Sequence, residues 1–128
     1  MAHRFHHAHV KSKDPRASAQ WWADMFGATV LPEMEFGLML FAPVELDGVR
    51  INFTNPASEE AADTDEPPAI PYYGLEHFGL VTDDLDADLI RFAEQGLEIH
   101  ERRPGPGFEI AFVSTPDGVC LELMQPLD

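Results

Sequence analysis

The chain has 128 residues, about one domain's worth, and folding at that size removes roughly two-thirds of the unfolded surface from water. Its 45% of hydrophobic residues marks a globular chain, and its one cysteine, Cys120, excludes an internal disulfide framework. Eight Lys and Arg against 23 Asp and Glu leave a net charge of -15, which repels phosphate backbones and anionic membranes, so neither nucleic acid nor membrane is an expected partner. No apolar run approaches the ~20 residues of a membrane helix, and the first residues carry no signal-like apolar stretch, so the cytoplasm is the expected location.

In chain order, His7–Ser12 reads as a strand. Asp14 as N-cap, Pro15 at the first helical position and Gly27 at the far end bracket a helix over Arg16–Phe26. Three strand-like runs follow, Thr29–Glu33, Leu38–Pro43 and Val49–Thr54, and then an acidic, proline-rich linker over 57–71. The same series recurs: a strand over His77–Thr82, an Asp84-capped helix over Leu85–Gln95 and strands over Glu98–Arg102, Glu109–Ser114 and Val119–Met124. Leu85, Leu89, Phe92 and Ala93 give the second helix its apolar stripe. Between the second copy's middle strands, the segment Arg102–Phe108 alternates Pro and Gly and suits either a mobile lid or a long hairpin connection.

The recurrence keeps one register. Asp47/Asp117, Gly48/Gly118, Val49/Val119 and Pro56/Pro126 match at a single offset (117 − 47 = 70), which also carries His7 onto His77 and Asp14 onto Asp84. The chain therefore reads as two copies of a βαβββ module of about 55 residues: module 1 over about 5–56, the linker, and module 2 over about 72–126.

Strand alternation then sorts side chains. Val49, Ile51 and Phe53, like Val119, Leu121 and Leu123, form apolar faces for the helices; the opposite faces carry Asn52 and Glu122. On the first strands His7, His9 and Lys11 share a face, and His77 shares one with Gly79 and Val81. If the two modules pack about a pseudo-twofold axis, His7, His77, Asn52 and Glu122 converge. Two imidazoles and a carboxylate suit one divalent transition metal with positions open for water or substrate.

The strings His7-Ala-His-Val-Lys-Ser-Lys-Asp14, Trp22-Ala-Asp-Met-Phe-Gly27, Gly74-Leu-Glu-His77 and Thr115-Pro-Asp-Gly-Val-Cys-Leu-Glu122 resemble the vicinal oxygen chelate superfamily. Glyoxalase I, methylmalonyl-CoA epimerase, extradiol dioxygenases, fosfomycin-resistance transferases and bleomycin-resistance proteins belong to that group. The resemblance implies an α+β fold of paired βαβββ modules whose mixed sheets curl into a cup, often completed in a homodimer. It implies ligands at the positions of His7, Asn52, His77 and Glu122 and one divalent metal ion (Zn, Ni, Mn, Co or Fe). Bound through adjacent oxygens, a substrate is then stabilised as an enediolate or oxyanion. Asn52 departs from the Glu of glyoxalase I and the Gln of the epimerase, so the metal set expected here is His7, His77 and Glu122. Asn52 is then free to hold a substrate or a water.

Proton removal beside a carbonyl requires a base, for which Glu122 and His9 are the candidates. Lys11, at the position where glyoxalase I holds a substrate carboxylate, points with Arg50, Asn52 and Arg102 to a small anionic substrate. The expectation is a metal-dependent lyase or isomerase of the glyoxalase/epimerase type. The alternatives are an iron-dependent extradiol-type dioxygenase and a metal-free binding protein of the bleomycin-resistance type.

Overall fold

A computed structural model describes residues 4–56 and 73–128, so the linker expected over 57–71 lies outside the described residues. The chain divides into two compact units, Met1–Asp65 and Glu66–Asp128.

Unit 1 runs β1 (His7–Lys11), α1 (Pro15–Phe26), β2 (Thr29–Val30), β3 (Met34–Phe36), β4 (Met39–Leu46) and β5 (Val49–Thr54). Its sheet has the order β1-β5-β4-β2, with β3 also paired to β4. The β1–β5 pair is parallel and the others are antiparallel. The run expected as one strand over Thr29–Glu33 is broken. Leu31 N still donates to Pro43 O at 2.9 Å, but Pro32 has no N–H to continue the ladder, and pairing resumes only at Met34. The Asp47-Gly48 turn joins β4 to β5 with φ of 52° and 77°. Positive φ at both positions is the type I′ geometry that matches strand twist, which is why Asp-Gly stands there.

Unit 2 runs β6 (His77–Val81), α2 (Leu85–Glu94), β7 (Ile99–Gly105), β8 (Phe108–Ser114) and β9 (Cys120–Pro126), with sheet order β6-β9-β8-β7. Again the first and last strands pair in parallel and the rest are antiparallel. Both sheets are thus mixed, each unit adds one long helix among the described residues, and the fold is α+β. The Pro/Gly segment is a tight hairpin rather than a lid: Gly105 pairs with Phe108, so only Pro106 and Gly107 form the turn. Pro104 is tolerated because β7 is the last strand in the sheet order. The last strand begins at Cys120 rather than Val119, since the loop closes through Thr115 N donating to Val119 O at 2.9 Å.

Local chemistry recurs at the 70-residue offset. The Asp14 and Asp84 side chains accept from Ala17 N and Ala87 N at 3.2 and 3.0 Å, capping their helices, a contribution of about 1 kcal/mol each. Ser12 Oγ accepts from Asp14 N and lies 2.6 Å from Ser18 Oγ; Thr82 Oγ1 accepts from Asp84 N and donates to Asp88 Oδ2 at 2.5 Å. Helix α1 packs on β4, β5 and β2, and α2 on β8, β7 and β9. Trp22, Phe53, Val44 and Ile51 fill the first interface, and Phe92, Leu85, Leu121, Leu123 and Val113 the second. Ala93, expected in the apolar stripe, is exposed, as is Val49 just after its turn. Among the described residues no helix is long and apolar enough to cross a membrane.

Candidate metal and substrate site

The helices cover one face of each sheet and leave the candidate residues, Arg102 apart, on the other. In unit 2, strand register places Cys120 beside His77 and Gly79 beside Glu122, so His77 and Glu122 are diagonal neighbours on a parallel pair. His77 Nε2 lies 3.2 Å from Glu122 Oε1, and His77 Nδ1 lies 3.0 Å from Glu76 Oε1. Both side chains of the His77–Glu122 pair are partly buried, with 30% and 18% exposed. Each carboxylate can only accept, so without a metal each faces a ring N–H, whereas a cation held on Nε2 would leave the ring proton on Nδ1, against Glu76. Two ligand atoms bonded to one cation at about 2.1 Å stand roughly 3.0–3.4 Å apart. The Nε2–Oε1 spacing therefore suits a shared cation, with Glu76 in the supporting position that carboxylates take behind metal-bound histidines. The Phe112 ring closes against His77 with centroids 5.2 Å apart, and the Arg103 guanidinium stands 5.9 Å from the Phe112 centroid.

Unit 1 uses the equivalent positions differently. His9 is paired with Asn52 and His7 with Arg50 across the parallel β1–β5 pair. Arg50 Nε donates to Asn52 Oδ1 at 2.9 Å, which occupies the amide oxygen that a metal would otherwise need. Asn52 is buried, at 6% exposure. His7 is exposed, with its Nδ1 2.8 Å from His6 Nδ1. The buried Thr54 hydroxyl lies 2.6 Å from His9 Nε2 and accepts from Lys11 Nζ at 3.3 Å. Thr54 Oγ1 accepts from the ammonium and keeps its own hydrogen available to His9 Nε2.

Electrostatics agree with a neutral His9. Burial pushes its pKa below 6.5, and the nearby Lys11 and His7 add to the shift. The unfolded chain takes up this proton at about the ordinary value, whereas folded His9 resists until a lower pH. Its contribution to stability is thus complete above pH 6.5 and declines as acid carries the solution down through the folded value. His9→Gln is expected to remove that part of the acid loss. Urea midpoints from about pH 8 to about pH 5 check it, and equal pH slopes in the two proteins would refute it. Burial also pushes the Cys120 thiol up, with the carboxylates of Glu76 and Glu122 adding to the effect, so Cys120 stands beside His77 as an unreactive thiol.

The structure thus joins His77 with Glu122, Asn52 with Arg50, and His9 with Lys11. Within neither unit, among the described residues, do three His, Cys, Asp or Glu side chains gather into a group arranged to hold a metal ion; His77 and Glu122 belong to unit 2 and His7 to unit 1. Arg102 pairs in register with the buried Ala111, on the face opposite Phe112 and Glu122, and is tied to Asp86 of α2 at 2.6 Å and to Glu109 at 3.3 Å. Its neighbour Arg103 shares the site face instead. Sequence reasoning missed Glu76, Phe112 and Arg103. Phe112 was legible in strand parity, whereas Glu76 precedes β6 and follows no alternation.

Comparison with known proteins agrees with this architecture. The family model described as Glyoxalase/Bleomycin resistance protein/Dioxygenase superfamily matches residues 4–123. Among solved structures, the trypanothione-dependent glyoxalase I of Leishmania major is 16% identical, covers 97% of this chain and 87% of its own, and superposes with a TM-score of 0.74. TnmS3, an antibiotic binding protein from Streptomyces sp. CB03234, is 24% identical over 99% of both chains with a TM-score of 0.65. The oxidase ChaP-H2 is 27% identical over 99% of this chain and 96% of its own, with a TM-score of 0.65. The repeated modules, their mixed sheets and the family match together show that the chain belongs to the Glyoxalase/Bleomycin resistance protein/Dioxygenase superfamily.

Proposed function

We propose that the chain is a metal-dependent enzyme acting on a small anionic molecule that carries adjacent oxygens, in the manner of the glyoxalase/epimerase lyases and isomerases of its superfamily. The observation that carries this reading is the His77 imidazole held between Glu76 and Glu122, 3.0 and 3.2 Å from its two nitrogens. His77 and Glu122 supply two ligands and His7 the third, from unit 1 of the same chain or of a second copy in a homodimer. When bound, a divalent cation (Zn, Ni, Mn, Co or Fe) supplies Lewis acidity to substrate oxygens. Glu122 is the base that removes a proton beside the substrate carbonyl, and neutral His9, oriented by Thr54, holds or relays it. Lys11 and Arg50 hold the anionic group. Asn52, through its amide oxygen, positions the Arg50 guanidinium beside the substrate rather than ligating the metal.

Elemental analysis of untagged protein, beside His7→Ala, His77→Ala and Glu122→Gln, tests the reading. About one metal per chain is expected in the wild type, with loss in each variant. Wild-type protein that takes up none of the five metals on titration, or variants that bind as well as wild type, would overturn it. A second reading, an iron-dependent oxygen-using enzyme of the dioxygenase type, draws on the two-histidine, one-carboxylate set and on the 27% identity to the oxidase ChaP-H2. Oxygen uptake by the iron-loaded protein with catechols separates the two. The remaining alternative is a metal-free protein that binds a cationic aromatic drug, and the likeness to TnmS3, an antibiotic binding protein, bears on it.

A further inference from the structure

Across the sheet of unit 2, away from the His77–Glu122 pair, three side chains stand in series. Ser114 Oγ lies 2.6 Å from His100 Nε2, and His100 Nδ1 lies 2.7 Å from Glu98 Oε2. The carboxylate can only accept, so Nδ1 carries the ring proton, and Nε2 is left to accept from the Ser114 hydroxyl. Hydroxyl, imidazole and carboxylate thus follow one another in the order that activates a serine for acyl transfer on unrelated folds.

The backbone explains why they meet. The ladder between β7 and β8 shifts register between Ile99 and Glu101, which makes His100 the extra residue and removes it from simple alternation. Ser114 N donates to Glu98 O at 2.9 Å, fixing the start of β7 beside the end of β8. Ser114 is paired with Cys120, and Cys120 with His77, so the hydroxyl lies in the same row as His77, two strand spacings or about 10 Å away. Among the described residues, the side-chain hydrogen bond and ion pair of these three run to one another and not to His77 or Glu122. The His100 ring is partly buried and the Glu98 carboxylate largely exposed, with side chains 26% and 66% exposed, so solvent and small reactants reach the group.

We propose that Ser114, His100 and Glu98 form a second, metal-independent reactive site that takes acyl groups from small activated carboxylic esters. Ser114 Oγ forms a bond to the ester carbonyl carbon while its proton passes to His100 Nε2, and the carbonyl electron pair moves onto oxygen. Collapse of that adduct breaks the bond to the leaving oxygen, which departs with the proton from Nε2. The acyl group stays on Ser114 until water, deprotonated by His100, releases it as the carboxylic acid and returns the proton to Oγ. Glu98 holds the ring in the required tautomer and balances the charge it gains. The exposed carboxylate makes this a modest catalyst, because the charge it stabilises is already solvated.

The test is acylation of the full chain by p-nitrophenyl acetate, with and without a chelator, read by nitrophenolate release and peptide-resolved mass spectrometry. An acetyl group on Ser114 is expected under both conditions, and a fluorophosphonate is expected to label the same residue. Ser114→Ala should lose the adduct, and His100→Gln, which keeps the hydroxyl, should slow its formation about 100-fold. Glu98→Gln should give an intermediate rate. Acetyl groups only on lysine, histidine or the N-terminal amine, or a Ser114 adduct forming as fast in His100→Gln as in wild type, would overturn the proposal. Because the readout persists in chelator, its failure leaves the metal reading standing, and failure of the metal reading leaves this one standing.

Discussion

Trp22→Ala is expected to lower stability by about 3–5 kcal/mol, the largest single effect in the molecule. Trp22 is 2% exposed on the buried face of α1, with its ring centroid 5.1 Å from that of Phe26 and 6.2 Å from that of Phe53. Burying about 200 Å² of ring at ~25 cal/mol per Å² accounts for about 5 kcal/mol, and the cavity left behind cannot close against a rigid sheet. Domains hold only about 5–15 kcal/mol in total, so the loss is a large share of it. Trp21, next to it but half-buried, is the internal control: Trp21→Ala should cost about 0.5–1.5 kcal/mol, the scale of an aromatic pair. Urea unfolding of both variants checks the contrast, and equal losses would mean that the α1 face is misassigned.

Glu76→Ala is expected to weaken metal binding about 10- to 100-fold while leaving all three proposed ligands in place. The carboxylate stands 3.0 Å from Nδ1 and so holds the ring with Nε2 facing Glu122. Without it the ring is free to turn and the tautomer is no longer selected. Glu76→Gln keeps an acceptor oxygen and loses only the charge, so its affinity should fall between alanine and wild type. Competition against a chromophoric chelator reads all three proteins. An alanine variant that binds as wild type does would show that His77 is oriented by packing on Phe112 instead.

The differences between the two units follow from single residues. At equivalent register positions unit 1 has Arg50 where unit 2 has Cys120, and Asn52 where unit 2 has Glu122. The arginine turns onto the amide oxygen, whereas the small buried thiol leaves Glu122 free to meet His77. One copy of the module thereby carries cationic and neutral groups suited to holding an anion. The other carries the carboxylates.

Much of this was legible in the sequence because it rests on local rules. Helix limits came from Asp14, Pro15 and Gly27, whose capping chemistry acts within a single turn. The repeat was visible because Asp-Gly turns and Asp caps must recur wherever the same βαβββ path is followed, and strand parity placed Glu122 on the face away from the helix because side chains alternate at every residue. Tertiary structure decided what local rules do not reach. Pro32 split a strand only because its neighbours had to pair with β4. Pro106 and Gly107 became a two-residue turn because β7 and β8 pair right up to it. Arg102 went to the helix side, where Asp86 neutralises it, while Arg103 took the site face. Glu76 meets the ring of the very next residue from irregular backbone before β6, and His100, on a bulge, meets Ser114 through the β7–β8 pairing; a period of two along one strand carries no record of either.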